Sequence, residues 1–307
     1  MRRLLFLVWT SLVLGGTATA QQEGVSLIVL GTVQDGGLPH IGCQRACCAS
    51  PEPEKMAPRH VVCLGLSDPA QGTSYLFEAT PDLGAQMDAL HRATGLPLPS
   101  GIFLTHAHIG HYSGLQFLGR EALNAPGIPV YAMPRMSRFL RRNGPWRQLV
   151  SAGNIHLAPL KDGKAASLGP NLKVTPVRVP HRDEYSETVG FLIAGPRKTA
   201  LFIPDIDKWE RWETDIEAHI RAVDYAFLDA TFFDASEVGY RDISEIPHPF
   251  VSESMARFAR LPEAEKEKVF FIHMNHTNPL LDPESEASKA VEAAGFHIAR
   301  QGQVFRL

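Results

Sequence analysis

The sequence predicts an α/β fold in one domain, and three observations predict it. Apolar runs of strand length alternate with helix-period stretches along nearly the whole chain. No internal repeat, low-complexity tract or long linker divides it. Histidines and acidic residues recur just beyond the apolar runs, at strand ends, where α/β folds place their sites. Composition agrees, since 44% hydrophobic and 21% charged residues suit a packed core and exclude disorder or collagen. The formal charge of −3, from 30 basic and 33 acidic residues, offers no basic surplus for nucleic acid or an anionic membrane. The thirteen His are the unusual count, and their placement decides the rest.

The chain begins with Arg2 and Arg3, an apolar run over 4–14, and Ala18-Thr19-Ala20. This is the pattern of a secretory signal peptide over 1–20, which implies a periplasmic or secreted domain over 21–307. The run of about eleven residues falls short of the roughly 20 that span a bilayer, so no stable membrane anchor is expected. Loss of the two Arg takes the formal charge from −3 to −5.

Strands are expected at 25–30, 61–66, 75–78, 102–105, 130–132, 172–179, 189–194, 200–204, 225–229 and 269–273, all short β-rich runs bounded by polar or turn residues. Helices are expected at 83–94, 113–123, 136–142, 209–222, 251–260 and 284–294, where apolar residues return every three or four positions. Asp82 and Ser113 stand where N-caps would, and Gly295 where the last helix would stop. The 35–60 stretch follows neither period. It holds Cys43, Cys47, Cys48 and several Pro, so something other than a helix or strand must order it.

The sharpest signal is Thr105-His106-Ala107-His108-Ile109-Gly110-His111, at the end of the expected strand 102–105. Imidazole is a strong ligand for zinc, and His-x-His lets two rings converge on one ion. Further candidates end other strands: His181 follows 172–179, Asp205 follows 200–204, and His273 ends 269–273.

The ordered set His106-x-His108-x-x-His111, His181, Asp205 and His273 resembles the metallo-β-lactamase superfamily. The resemblance implies an αββα four-layer sandwich with a binuclear metal site. It implies that His106, His108 and His181 hold one ion, His111 and His273 the other, and that Asp205 bridges them. A nucleophilic hydroxide generated on the ions would then act at neutral pH. Two positions depart from the family pattern. Gly110 stands where the family has Asp, which removes a carboxylate ligand from the second metal. Glu78 stands where the family has a supporting Asp, with a longer reach.

Segments around 78–86, 129–135, 228–232 and 271–281 are similar to the pyrroloquinoline-quinone biosynthesis protein B group. They are also similar to the cyclic phosphodiesterase of phosphonate catabolism and, more distantly, to tRNA 3′-end endonucleases. His273-Met-Asn-His276-Thr-Asn-Pro-Leu-Leu281 is the most specific piece. The phosphodiesterase resemblance implies a structural zinc held by the Cys-rich loop (Cys43, Cys47, Cys48) and by His276, with Cys63 as a substitute for one of the adjacent pair. Disulfides are the competing reading in an oxidising compartment. The same resemblance places His248 as a non-ligand proton donor and Asp229 as the acid that orients it or a ligand His. Asp35, before Gly36-Gly37, reads as a turn residue. Asp183, Glu184 and Glu187 read as solvated surface, and Trp146, Trp209 and Trp212 as packing.

The function expected is a secreted zinc-dependent hydrolase of a small phosphodiester, ester or lactone. One or two catalytic ions serve it, and a structural ion is allowed. The alternatives are an iron-dependent oxidative enzyme and a non-catalytic, metal-stabilised binding protein. A small molecule is the expected partner, no nucleic acid is indicated, and a homodimer is compatible with the chain.

Overall fold

The computed structural model describes residues 24–49, 59–239, 242 and 246–307. The segment 1–20, where a signal peptide is expected, lies outside them. Among the described residues no helix is long and apolar enough to cross a membrane.

Two seven-stranded sheets pack face to face. The first takes β1 (Ser26–Gly31), β2 (Cys63–Asp68), β3 (Thr73–Phe77), β4 (Gly101–Phe103), β5 (Ile128–Ala132) and β6 (Ile155–Pro159), with β14 (Val304–Arg306) beside β1. The second takes β7 (Ala166–Gly169), β8 (Leu172–Arg178), β9 (Val189–Ala194), β10 (Thr199–Ile203), β11 (Tyr225–Asp229), β12 (Val269–Ile272) and β13 (His297–Ile298). Each sheet runs four strands antiparallel and then turns parallel: β14-β1-β2-β3 then β4-β5-β6, and β7-β8-β9-β10 then β11-β12-β13. The fold therefore repeats its topology although the sequence carries no repeat. Strand order and pairing direction recur while the side chains and their burial differ.

Strand alternation sorts the core into layers. Leu27, Val29, Leu64, Leu66, Phe77 and Phe103 face the second sheet, where they meet Phe191 and Phe202. Phe103 lies 5.0 Å from Phe77 and 5.6 Å from Phe191, ring to ring. The alternate residues Ile28, Leu30, Leu76, Ile102 and Val130 face outward. They are covered by α1 (Leu83–Thr94), α3 (Pro134–Arg142) and α4 (Trp146–Ser151). The second sheet is covered by α5 (Ile216–Ala222), α6 (Val251–Phe258) and α8 (Glu286–Ala293), which supply Ile216, Ile220, Phe258 and Val291. The expected αββα sandwich is the observed fold.

Some expected elements differ. The helix expected at 113–123 is a short α2 (Ile109–Tyr112) followed by a 3-10 turn at Ser113–Leu118, because Gly114 packs its backbone against Ala79. The helix expected at 209–222 is a 3-10 turn at Trp209–Arg211 and then α5, separated at Asp215, whose carboxylate accepts from the Glu217 N–H as an N-cap. Asp82 makes no side-chain cap; its carboxylate accepts instead from the Val61 N–H at 2.8 Å. The short α7 (Glu263–Lys266) leads into β12.

Candidate metal centre

The strands β1, β3, β4, β8, β10, β11 and β12 all release their chain at one end of the sandwich. Asp35 follows β1, Glu78 follows β3, and the three His of 106–111 follow β4. His181 follows β8 and Asp205 follows β10, while Asp229 and His273 end or follow β11 and β12. His248 arrives on the segment before α6.

His106, His108, His181 and Asp205 bring one ligand atom each within 4.8 Å of one another. His106 Nε2 and His108 Nδ1 stand 2.8 Å apart, and Asp205 lies 3.3 Å from both His106 Nε2 and His181 Nε2. A second group brings together Asp35, His111 and His273. Asp205 stands between the two, with Oδ2 3.8 Å from His111 Nε2. The Nε2 atoms of His111, His181 and His273, with Oδ1 of Asp35 and of Asp205, are buried and have no hydrogen-bond partner. Buried polar atoms are almost always paired, because an unpaired one costs about 1–3 kcal/mol. Five orphans aimed at one volume, all nitrogen or carboxylate oxygen, fit divalent metal ions.

Most rings are braced from behind by a hydrogen bond, which fixes which nitrogen faces inward, and His111 has a carboxylate behind it. His106 Nδ1 lies 2.9 Å from Thr105 Oγ1, which in turn donates to Glu78 Oε1 at 2.5 Å. His111 Nδ1 is 3.2 Å from that same Glu78 oxygen. His181 Nδ1 is 3.1 Å from Asp207, itself held by Arg211 at 2.8 Å. His273 Nδ1 lies 3.0 Å from Thr231 Oγ1, which donates to Asp229 at 2.7 Å. His108 presents Nδ1 inward and sets Nε2 3.2 Å from Glu184. Glu78 (φ 89°) and His273 (φ 68°) have left-handed backbone that costs a side-chain-bearing residue energy, and both sit in this cluster.

The electrostatics favour cations. Burial should raise Asp205, but His181 and His248 beside it hold its carboxyl well below the usual range. Burial is likewise outweighed at Asp229, which His248 and His273 hold at about 2. Burial works against the His181 imidazolium, yet Asp205 and Asp207 raise its pKa to about 9. Ionised carboxylates gathered out of solvent require positive charge beside them.

His248 places Nδ1 2.9 Å from Asp229 Oδ2 and 3.2 Å from Asp205 Oδ1. Its ring stands 5.4 Å from that of His181 and 6.3 Å from that of His273. Asp229 thus serves His248 directly and His273 through Thr231.

The Cys-rich loop reaches the same end. Cys43, Cys47, Cys48 and His276 form a third group with ligand atoms within 4.8 Å. All four cysteines of the chain are free thiols. The Cys43–Cys47 and Cys47–Cys48 sulfurs stand 3.9 and 3.8 Å apart. That is the edge of a tetrahedron with Zn–S bonds of about 2.3 Å, and far beyond a disulfide bond of about 2.05 Å. The adjacent Cys47 and Cys48 both reach the group. Cys63 does not substitute for either: it is fully buried in β2, packed with the outward-facing core of the first sheet.

Two acids differ from their sequence reading, and a third, Glu184, is exposed as expected but also meets His108. Asp35 is no free turn residue, since it points at His111 and His273. Glu187 is buried and accepts from the Arg135 N–H at the start of α3. None had a signal in the sequence, because each lies far along the chain from the group it meets.

The family model described as "Beta-lactamase superfamily domain" matches residues 73–274, more than half of the chain. The protein belongs to the metallo-β-lactamase superfamily. Among curated relatives, a coenzyme PQQ synthesis protein B of Methylobacterium sp. (strain 4-46) is 27% identical to this superfamily member. That match covers 91% of the chain and 99% of the relative. The solved Zn(2+)-bound PqqB from Methylobacterium extorquens superposes with a TM-score of 0.76 at 23% identity, covering 92% of this chain and 100% of that one. A diphosphatase from the PhnP family gives 0.63 at 22% identity, covering 92% and 96%. The fold implies metal ions, which the convergent groups suit.

Proposed function

We propose that this superfamily member is an exported, zinc-dependent hydrolase of small phosphodiesters. The observation that carries the reading is the convergence of His106, His108, His181 and Asp205 on one point, with His181 Nε2 and Asp205 Oδ1 buried and unpartnered. Bound divalent ions supply Lewis acidity and lower the pKa of water. The chain's own residues do the rest. His106, His108 and His181 would hold the first ion, His111 and His273 the second, with Asp205 between them. His248, its Nδ1 tied to Asp229, keeps Nε2 for delivering a proton to the leaving oxygen. Cys43, Cys47, Cys48 and His276 would hold a structural zinc that orders the 35–49 loop. The solved PhnP-family diphosphatase supports phosphorus chemistry over an ester or lactone. The pattern at 1–20 supports export to the periplasm or beyond.

The test is turnover of bis-(p-nitrophenyl) phosphate by zinc-loaded protein. His106→Ala should abolish it together with catalytic zinc. His248→Asn should slow substrates with poor alkoxide leaving groups more than those releasing p-nitrophenolate. Full activity in His106→Ala would sink the site assignment. A second reading rests on the curated relatives, which are PQQ synthesis proteins. The same His and Asp donors suit iron, so one iron per chain with oxygen consumption and no phosphodiester turnover would favour an oxidative enzyme.

A further inference from the structure

We propose that Asp35 is the carboxylate ligand of the second metal ion, supplied from the loop after β1 in place of the acid missing at position 110. The inference rests on the metal-site reading above and adds a ligand to it.

Its first support is convergence. Asp35 Oδ1 lies 3.1 Å from His111 Nε2 and 3.7 Å from His273 Nε2, and none of the three atoms has a hydrogen-bond partner. Thr231 Oγ1 lies 3.0 Å from His273 Nδ1 and Glu78 Oε1 3.2 Å from His111 Nδ1, so both rings present Nε2 to Asp35. Two imidazole nitrogens and a carboxylate facing one another need a proton or a metal cation among them, and three convergent ligand atoms suit a metal.

The second support is space. A β-carbon built at Gly110 would overlap the Asp35 carboxylate, lying 2.6 Å from its Cγ and 2.7 Å from its Cα. A side chain at 110 and the Asp35 carboxylate therefore exclude each other. Glycine at 110 does more than delete an acid: it opens the volume through which Asp35 reaches the same two histidines.

The third support is anchoring. The Gln34 N–H donates to the Met274 carbonyl at 2.8 Å, and Val33 bridges Met274. Asp35 is thus tied to the residue that follows its partner His273, while Gly37 (φ 68°) lets the chain turn away.

The test counts Zn2+ per chain after loading and gel filtration, with affinity read by competition against a chromophoric chelator. Asp35→Ala and the near-isosteric Asp35→Asn should each hold one equivalent fewer than wild type, or bind it at least tenfold more weakly, with unchanged circular dichroism. Gly110→Ala should also lose or weaken that equivalent, because its β-carbon displaces Asp35 and supplies no carboxylate in its place. Wild-type zinc content and affinity in both Asp35 variants would overturn the inference and leave the first site standing. If wild type and His106→Ala hold the same zinc, the metal-site reading fails instead.

Discussion

Glu78 shows how much one residue does here. It is fully buried, takes the Thr105 hydroxyl and stands 3.2 Å from His111 Nδ1, so it braces ligands of both groups. Glu78→Gln keeps the volume and removes the charge that makes both imidazoles better donors. We expect zinc affinity to fall about 10–100-fold with the fold intact, measured by competition titration and circular dichroism; unchanged affinity would show that the brace is only steric. At this scale the sequence was readable where chemistry is local. Three His in six residues announce a site whatever the fold. Asp35, Glu184 and Asp207 announce nothing, because an acid in a loop is ordinary until folding brings a histidine to it.

At the scale of elements, strands were legible and their edges were not. The central strands β1, β4, β10, β11 and β12 are buried on both faces and read as continuous apolar runs. β6, β7, β13 and β14 carry half-exposed or exposed positions and are set by pairing, so no run marks them. The helix expected at 209–222 failed at Asp215, where a cap bond outcompetes the period. The 35–49 loop belongs to a different class. Among the described residues its backbone makes only the Leu38–Arg59 bridge and local turns, and its side chains meet at Cys43, Cys47, Cys48 and His276. Cys43→Ser should release one zinc equivalent and speed tryptic cleavage after Arg45, followed by mass spectrometry. Cleavage at the wild-type rate would mean that the thiols do not order the loop. Because Asp35 begins this loop, the second catalytic ion should weaken in the same variant.

At the scale of the molecule, the centre joins two halves that repeat one topology. The first sheet gives Asp35, Glu78, His106, His108 and His111, while the second gives His181, Asp205, Asp229 and His273. The inter-sheet core of Phe77, Phe103, Phe191 and Phe202 holds the halves together without metal, so the protein should stay folded when stripped. Bound ions add to that only in the native arrangement, since neither half alone completes a ligand set. A ligand present at 100 times its Kd stabilises the native state by about 2.7 kcal/mol. For a domain over 21–307, each kcal/mol moves Tm by no more than roughly 2–4 °C. Stripping with a chelator should therefore lower Tm by up to about 5–10 °C per ion, and restoring Zn2+ should return it, as calorimetry would measure. Hydrogen exchange should slow on loading at the ends of β4 and of β12 together. Protection confined to one sheet would mean that the ions belong to one half, and that the symmetry of the fold has no part in building the site.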